Sequence, residues 1–269
     1  PFNLLLLFFL TVKSVFFIKK NNINILISTG GYMSLPVFFA AKIFNLKIYL
    51  YEPNMVLGRA NKFFLKHSKK VFCYSSNILN FPKKYINKIC VINPILRKNF
   101  YSVKFSENKE IGDKVNLLII GGSQSAKLFE TKIKKTVLDL SKKYKLNIYQ
   151  QTRDESKKNL EEFYKKNNIS YSLFNFEENF VDFVKDINLC ITRAGASTLS
   201  ELTFLNIPFI AVPYALAKDN HQFQNASFYR NNNCCWMLGE KELKNNELSK
   251  NITNIVQNKE DYLNKKKSM

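Results

Sequence analysis

The residues best placed to do chemistry run from 186 to 201: Asp-Ile-Asn-Leu-Cys-Ile-Thr-Arg-Ala-Gly-Ala-Ser-Thr-Leu-Ser-Glu. An apolar run (Ile187, Leu189, Cys190, Ile191) reads as a buried strand that stops at Arg193. Ala194, Gly195 and Ala196 then let the backbone turn tightly or approach a ligand, and Ser197, Thr198 and Glu201 stand where a helix would begin. A helix start after such a turn offers unpaired backbone N–H groups at the positive end of the helix dipole, which suits an anion and most often a phosphate. Glu201 adds an acceptor able to take both hydroxyls of a ribose. A competing reading makes Thr198-x-x-Glu201 a capping box whose side chains only start the helix.

The next strand end supports the ligand reading. Pro208-Phe-Ile-Ala-Val-Pro213 is a short apolar strand closed by proline, and a polar loop leads from it to Asp219-Asn-His-Gln222 and Asn225. Two successive strand ends thus carry ligand-competent residues on one sheet edge, and open parallel sheets bind ligands outside the carboxyl ends of their strands. Glycine turns at Gly30-Gly31 and Gly121-Gly122 could also aim N–H groups at phosphate. Gly121-Gly-Ser-Gln-Ser125 is not GxGxxG, and Lys127 does not complete a P-loop, so nicotinamide and ATP readings lose support. With two histidines, no Asp-x-Asp and no Gly-x-Ser-x-Gly, neither a histidine metal site, a carboxylate-held metal nor a serine elbow is expected. What remains is nucleotide binding by backbone, hydroxyls, Arg and one Glu, with no cofactor.

The elements that must position these groups alternate along the chain. Strands are expected at 23–28, 47–51, 71–74 and 89–92, with helices from 36 to about 44 and from 58 to about 67 between them. Pro36 suits a first helical turn, and Asn93-Pro94 breaks the pattern. Residues 99–114 are polar and charged and read as a linker, placing a first domain at 1–98 and a second at 99–269. A second series follows, with strands at 115–120, 146–150, 170–174, 187–192 and 208–212 and helices between. Such alternation implies parallel sheets covered by helices, here two doubly wound α/β domains with a cleft between them.

Composition narrows the class. The chain has 269 residues, enough for one large or two ordinary domains, and 46% hydrophobic content excludes disorder. Five cysteines without CxxC spacing read as reduced thiols, Cys73 and Cys190 buried, with a lesser reading of Cys234-Cys235 as reactive. The net charge is +20, but the lysines are scattered rather than gathered in an aromatic-interleaved stripe, so no nucleic-acid partner is expected. An anionic membrane surface fits better, at about 1 kcal/mol per nearby Lys. Residues 1–18 are almost wholly apolar, with Lys13 the only charge, at the lower edge of a spanning length. They are expected as a buried helix of the first domain, with an interfacial helix and a true span as alternatives.

Six motifs, in order along the chain, resemble those of the MurG family. They are Thr29-Gly-Gly-Tyr-Met-Ser-Leu-Pro36, Glu52-Pro-Asn54 with Gly58 and Asn61, Asn93-Pro94, Gly121-Gly-Ser-Gln124-Ser-Ala126, Arg193-Ala-Gly-Ala196-x-Thr198-x-x-Glu201, and Asp219-x-His-Gln222-x-x-Asn225-Ala226. The resemblance implies a GT-B fold, metal-independent transfer of N-acetylglucosamine from its UDP donor to undecaprenyl-diphosphate-muramoyl-pentapeptide (lipid I), and peripheral attachment to the cytoplasmic face of the plasma membrane. Carried over, Glu201 becomes the ribose acceptor, and Ala196, Ser197, Thr198, Leu199 and Ser200 the helix start at the diphosphate. Gln222 would read the sugar, Asn54 would face the donor, Thr152 would sit at the nucleotide, and Glu177 would mark a position that reads uracil by backbone. Arg97 stands one residue beyond the family's usual arginine place, which here is Leu96, and Ser125 replaces a glycine. The family's opening glycine-rich loop with its histidine has no counterpart, so the first domain is expected to be incomplete.

The implied reaction is a single inverting displacement in which the acceptor's C4 hydroxyl attacks the anomeric carbon and UDP leaves. Glu52 is the available carboxylate for a catalytic base, with a turn-stabilising role as its alternative. Two other functions stay open: a non-catalytic UDP-sugar-binding subunit that needs a partner chain, and another GT-B enzyme such as a UDP-N-acetylglucosamine 2-epimerase.

Overall fold

The computed structural model describes residues 2–102, 111–121, 126–244 and 246–269. The chain divides into two compact units, Pro1–Pro94 and Ile95–Met269.

The first unit runs α1 (Phe2–Lys20), β1 (Ile25–Ser28), α2 (Leu35–Ile43), β2 (Lys47–Glu52), α3 (Arg59–Phe64), β3 (Ser68–Cys73) and β4 (Ile89–Val91). Its four strands form a parallel sheet in the order β1-β2-β3-β4. Ile48, Leu50 and Glu52 point inward at alternate positions of β2, and Phe38 of α2 stacks on Phe64 of α3 at 3.7 Å between ring centres. Gly30 and Gly31 both adopt φ of 80°, a left-handed turn that glycine makes without strain and that links β1 to α2.

The first helix corrects one expectation. It packs on α2, but among its described side chains only Ile18 is buried; Leu4, Leu5, Phe8, Phe9, Phe16 and Phe17 stand exposed. Apolar sequence marks a helix that wants a partner, while burial depends on what packs against it, and here one helix covers one side.

The second unit runs β5 (Lys114–Ile120), α4 (Ala126–Ser141), β6 (Lys145–Gln151), α5 (Asp154–Lys166), β7 (Ser170–Phe174), α6 (Phe180–Phe183), β8 (Leu189–Thr192), α7 (Ala196–Phe204), β9 (Phe209–Ala211), α8 (His221–Asn231), β10 (Cys235–Met237), α9 (Glu247–Gln257) and α10 (Lys259–Lys267). All pairings in its sheet are parallel, in the order β10-β9-β8-β5-β6-β7. Both faces are covered, which is why β5 and β8 read as continuous apolar runs. Val115, Leu117 and Ile119 of β5 face one core, and Leu118 faces the other with Cys190, Phe209 and Phe100.

Chain order along the sheet reverses between β5 and β8. That is the switch point, where connecting helices leave in opposite directions and a crevice opens outside the strand ends. The expected linker is partly core. Residues Lys98–Ser102 form a helical turn whose Phe100 is fully buried in one core of the second unit, and Ile111 is buried in the other. The turn Gly122–Ser125, including the Ser125 substitution, lies outside the described residues, as does 103–110.

Candidate active site

The switch point holds a cavity of about 500 Å³ entirely within the second unit. Its floor comes from the ends of β5 and β8 (Ile120, Gly121, Thr192, Arg193) and its sides from Arg97, Gly195, Thr198, Glu201 and Gln222. Gln151, Phe174, Phe176, Glu177 and Phe180 line it as well.

The helix start here is an open one. Helix α7 begins at Ala196 with Gly195 as its N-cap, a residue without a side chain to cap it. The first intrahelical bond visible at this end runs from the Leu199 N–H to the Gly195 carbonyl at 3.0 Å. The preceding N–H groups of Ala196, Ser197 and Thr198 therefore have no acceptor within the helix. A Cβ added to Gly195 would meet only Thr198 Oγ1, at 3.8 Å, so the glycine leaves room for an incoming group rather than relieving a clash. The turn itself is pinned from behind by Asn225, whose amide donates to the Ala194 carbonyl at 3.1 Å.

This geometry overturns the capping-box alternative. Thr198 is the third helical residue instead of the cap, and the Glu201 carboxylate turns to Arg97, with Nε 3.4 Å from Oε1. Arg97 itself lies over the rings of Phe100 at 5.0 Å and Phe180 at 5.8 Å. Burial pushes the Glu201 carboxyl above the ordinary glutamate range, and the Arg97 charge and hydrogen bond pull it part of the way back. Gln222 is oriented too: its Oε1 accepts from the Tyr214 N–H at 2.9 Å.

Other expected site residues serve the fold. Leu199 is fully buried, and Ser200 donates to the Ala196 carbonyl at 2.9 Å and pairs with the Tyr229 hydroxyl at 3.0 Å; the helix and its packing take both side chains. Thr152 is buried, its hydroxyl donating to Glu130 at 3.1 Å. Glu130 also takes the Arg153 guanidinium, the Arg153 N–H and the Ser156 hydroxyl, a network that ties α4 to the start of α5. The Glu177 carboxylate accepts from the Asn179 N–H at 3.0 Å while the residue lines the cavity.

Glu52 and Asn54 belong to the first unit. Glu52 is 3% exposed, and its oxygens accept from four donors: Asn54 N–H (3.3 Å), Asn54 Nδ2 (3.1 Å), Gly58 N–H (2.8 Å) and Asn61 Nδ2 (2.9 Å). A carboxylate with its lone pairs so occupied holds a turn. That is the role set beside the catalytic one for Glu52 in the sequence. Gly58 is part of the same device, since a Cβ there would come within 3.1 Å of Glu52 Oε2.

Sequence reasoning missed Arg193 and the aromatic wall as cavity residues. Arg193 had a signal, a cation ending a buried strand; the Phe174, Phe176 and Phe180 wall had none that separates it from core. Burial raises the thiol pKa of Cys73 and Cys235 to about 12 and that of Cys234 in the same direction, so the Cys234-Cys235 pair is not activated. Among the described residues no three His, Cys, Asp or Glu side chains gather as a metal cluster would require.

A parallel 3-2-1-4-5-6-type sheet with an open helix start at its switch point is an arrangement that suits an anionic ligand such as a nucleotide. Residues 116–269 match the glycosyltransferase family 28 C-terminal domain and residues 2–73 the family 28 N-terminal domain. The class is therefore a glycosyltransferase with the two-domain α/β fold of the GT-B type.

Over all 269 residues the chain is 52% identical to a UDP-N-acetylglucosamine--N-acetylmuramyl-(pentapeptide) pyrophosphoryl-undecaprenol N-acetylglucosamine transferase of Pelagibacter ubique (strain HTCC1062), covering 75% of that relative. It is 34% identical over 238 residues to the transferase of the same name from Rickettsia canadensis (strain McKiel), covering 87% of this chain and 67% of the relative. The chain belongs to the MurG family. Its fold matches that of Acinetobacter baumannii MurG with a TM-score of 0.74 at 21% identity, over 96% of this chain and 73% of that one. A UDP-GlcNAc 2-epimerase from Neisseria meningitidis, solved with UDP-GlcNAc bound, shares the fold at a TM-score of 0.66 and 12% identity, over 97% and 75% of the two chains.

Proposed function

We infer that this glycosyltransferase moves N-acetylglucosamine from UDP-N-acetylglucosamine to the C4 hydroxyl of lipid I, inverting the anomeric carbon and forming lipid II for peptidoglycan. The observation that carries the donor site is the convergence of the uncapped α7 start and the Glu201 carboxylate on one cavity. In this reading the diphosphate lies against the N–H groups of Ala196, Ser197 and Thr198, and the ribose hydroxyls donate to Glu201. Gln222, its Oε1 held by Tyr214, presents its amide nitrogen to the sugar. Leu199 and Ser200 serve by holding the helix, and Thr152 by anchoring the strand end beside Gln151.

Catalysis then rests on the leaving group. As the glycosidic bond breaks, negative charge grows on the UDP phosphate, where the helix start and Arg97 stabilise it. Losing one such donor commonly costs on the order of 10²–10³ in rate. The attacking hydroxyl comes from lipid I, whose polyprenyl tail lies in the bilayer, so the enzyme must work at a membrane surface.

No described helix is long and apolar enough to cross a membrane. Peripheral attachment to a membrane is supported by the exposed Leu and Phe side chains of α1 beside Lys13 and the basic last turn Lys19-Lys20. The net charge of +20 favours an anionic surface. The test uses anionic vesicles bearing lipid I, supplied with UDP-N-acetylglucosamine. The expected result is stoichiometric release of UDP and formation of lipid II, with turnover reduced at least tenfold by the double change Phe8→Glu, Phe9→Glu and UDP affinity unaltered. Absence of lipid product from a chain that binds UDP contradicts the transfer, and undiminished turnover of the double variant contradicts docking through α1.

A further inference from the structure

Arg193 is an arginine inside a protein: 6% exposed, at the floor of the cavity, with its guanidinium over the rings of Phe129 and Tyr214, each at 5.3 Å. Nη1 donates to the Val212 and Pro213 carbonyls at 3.1 and 3.3 Å, and its Nε is buried without an acceptor among the described residues. A buried guanidinium needs a counter-charge. Glu240 supplies it, with Oε1 2.7 Å from Nη1. The same oxygen accepts from the Ala215 N–H at 3.3 Å. One residue earlier in that loop, the Tyr214 N–H is the donor that holds Gln222.

We propose that Glu240 is a positioning residue of the donor site: one carboxylate oxygen fixes both the Arg193 guanidinium and the Tyr214–Ala215 loop, and through that loop the pose of Gln222. The proposal rests on reading the cavity as the UDP-sugar site. Glu240 follows β10, a strand with no other tie to the ligand, and it does not line the cavity. Its effect on a bound donor is therefore indirect, through the direction of the Arg193 charge and the position of the glutamine amide. The carboxylate also sets how much of the Arg193 charge the cavity displays, because an ion pair presents less net field than a free cation.

Geometry and charge separate in two substitutions. Glu240→Gln keeps an oxygen able to accept from Arg193 and Ala215 but removes the negative charge. Glu240→Ala removes both. Binding of UDP-N-acetylglucosamine is measured by calorimetry on the full chain at low and moderate salt, beside thermal melting of each variant. The expected result is a Kd for Glu240→Ala at least tenfold weaker than the unchanged chain, and a Kd for Glu240→Gln within threefold of it or tighter, with a steeper salt dependence. Two results overturn the proposal: equal Kd for all three proteins whatever their melting temperatures, or equal weakening in both variants in proportion to lost stability. Failure of the unchanged chain to bind UDP-N-acetylglucosamine removes the donor-site reading, and this proposal falls with it.

Discussion

Glu201→Ala should weaken UDP binding by roughly 10- to 100-fold, the equivalent of losing hydrogen bonds to a charged group worth about 1.5–3 kcal/mol. The substitution removes the proposed ribose acceptor while leaving the fold intact, because Glu201 caps nothing and its partner Arg97 is 43% exposed and rehydrates. Titration of UDP into variant and unchanged protein measures the difference. The pH course gives an independent signature. Burial raises the Glu201 pKa above its ordinary 4.5, while ribose hydroxyls donating to it favour the ionised form. Affinity should be full above the raised pKa and fall as pH drops through it, starting at a higher pH than an ordinary glutamate would give. Folding stability from the same group runs the other way. A raised folded pKa means this contribution is fully present below the unfolded value and is lost as pH rises through the folded one. Glu201→Ala should flatten both dependences, and an affinity that falls with pH just as before would remove Glu201 from the site.

The second large effect lies in the first unit and concerns folding. Glu52→Ala strips the acceptor from four donors around a carboxylate that is 3% exposed, and leaves the Gly58 N–H and the Asn61 amide without that partner. Each buried donor so orphaned costs about 1–3 kcal/mol, and breaking a buried charged network about 3–5 kcal/mol in all. Urea unfolding followed by probes in each unit should show the first unit losing about that much stability, with UDP binding by the second retained where both remain folded. Glu52→Gln should also destabilise, since its amide nitrogen would point a donor at donors. If Glu52→Ala unfolds like the unchanged protein yet loses turnover, the carboxylate is a catalytic base after all.

Comparing Glu52 with Glu201 shows how far the sequence alone could reach. Glu52 ends a strand and Glu201 lies in the helix after one, and the sequence assigned chemistry to both. Glu201 keeps an oxygen facing a cavity because α7 starts at Ala196 and carries it one turn in; Glu52 is used up because Gly58 and Asn61 fold back over it. Which donors return to a carboxylate is a matter of tertiary geometry that local pattern does not contain. Thr152 makes the same point, being taken by Glu130 from 22 residues upstream.

The parallel sheets were legible for the opposite reason. Strands covered on both faces must be apolar throughout, and glycine and proline punctuate their ends, so β5, β8 and β9 announce themselves. The short β10 does not: three residues after the left-handed Asn233 carry too little pattern, although Cys234-Cys-Trp-Met-Leu238 is an apolar run. Exposure of α1 was equally hidden, since an apolar helix reads alike whether one side or all of it is covered.

The measurement that bears most directly on the account is the structure of the full chain with UDP-N-acetylglucosamine bound. The prediction is a diphosphate within hydrogen-bond distance of the N–H groups of Ala196, Ser197 and Thr198, with the ribose hydroxyls on Glu201 and the sugar beside Gln222. A nucleotide seated elsewhere, with the α7 start left to solvent, would contradict it.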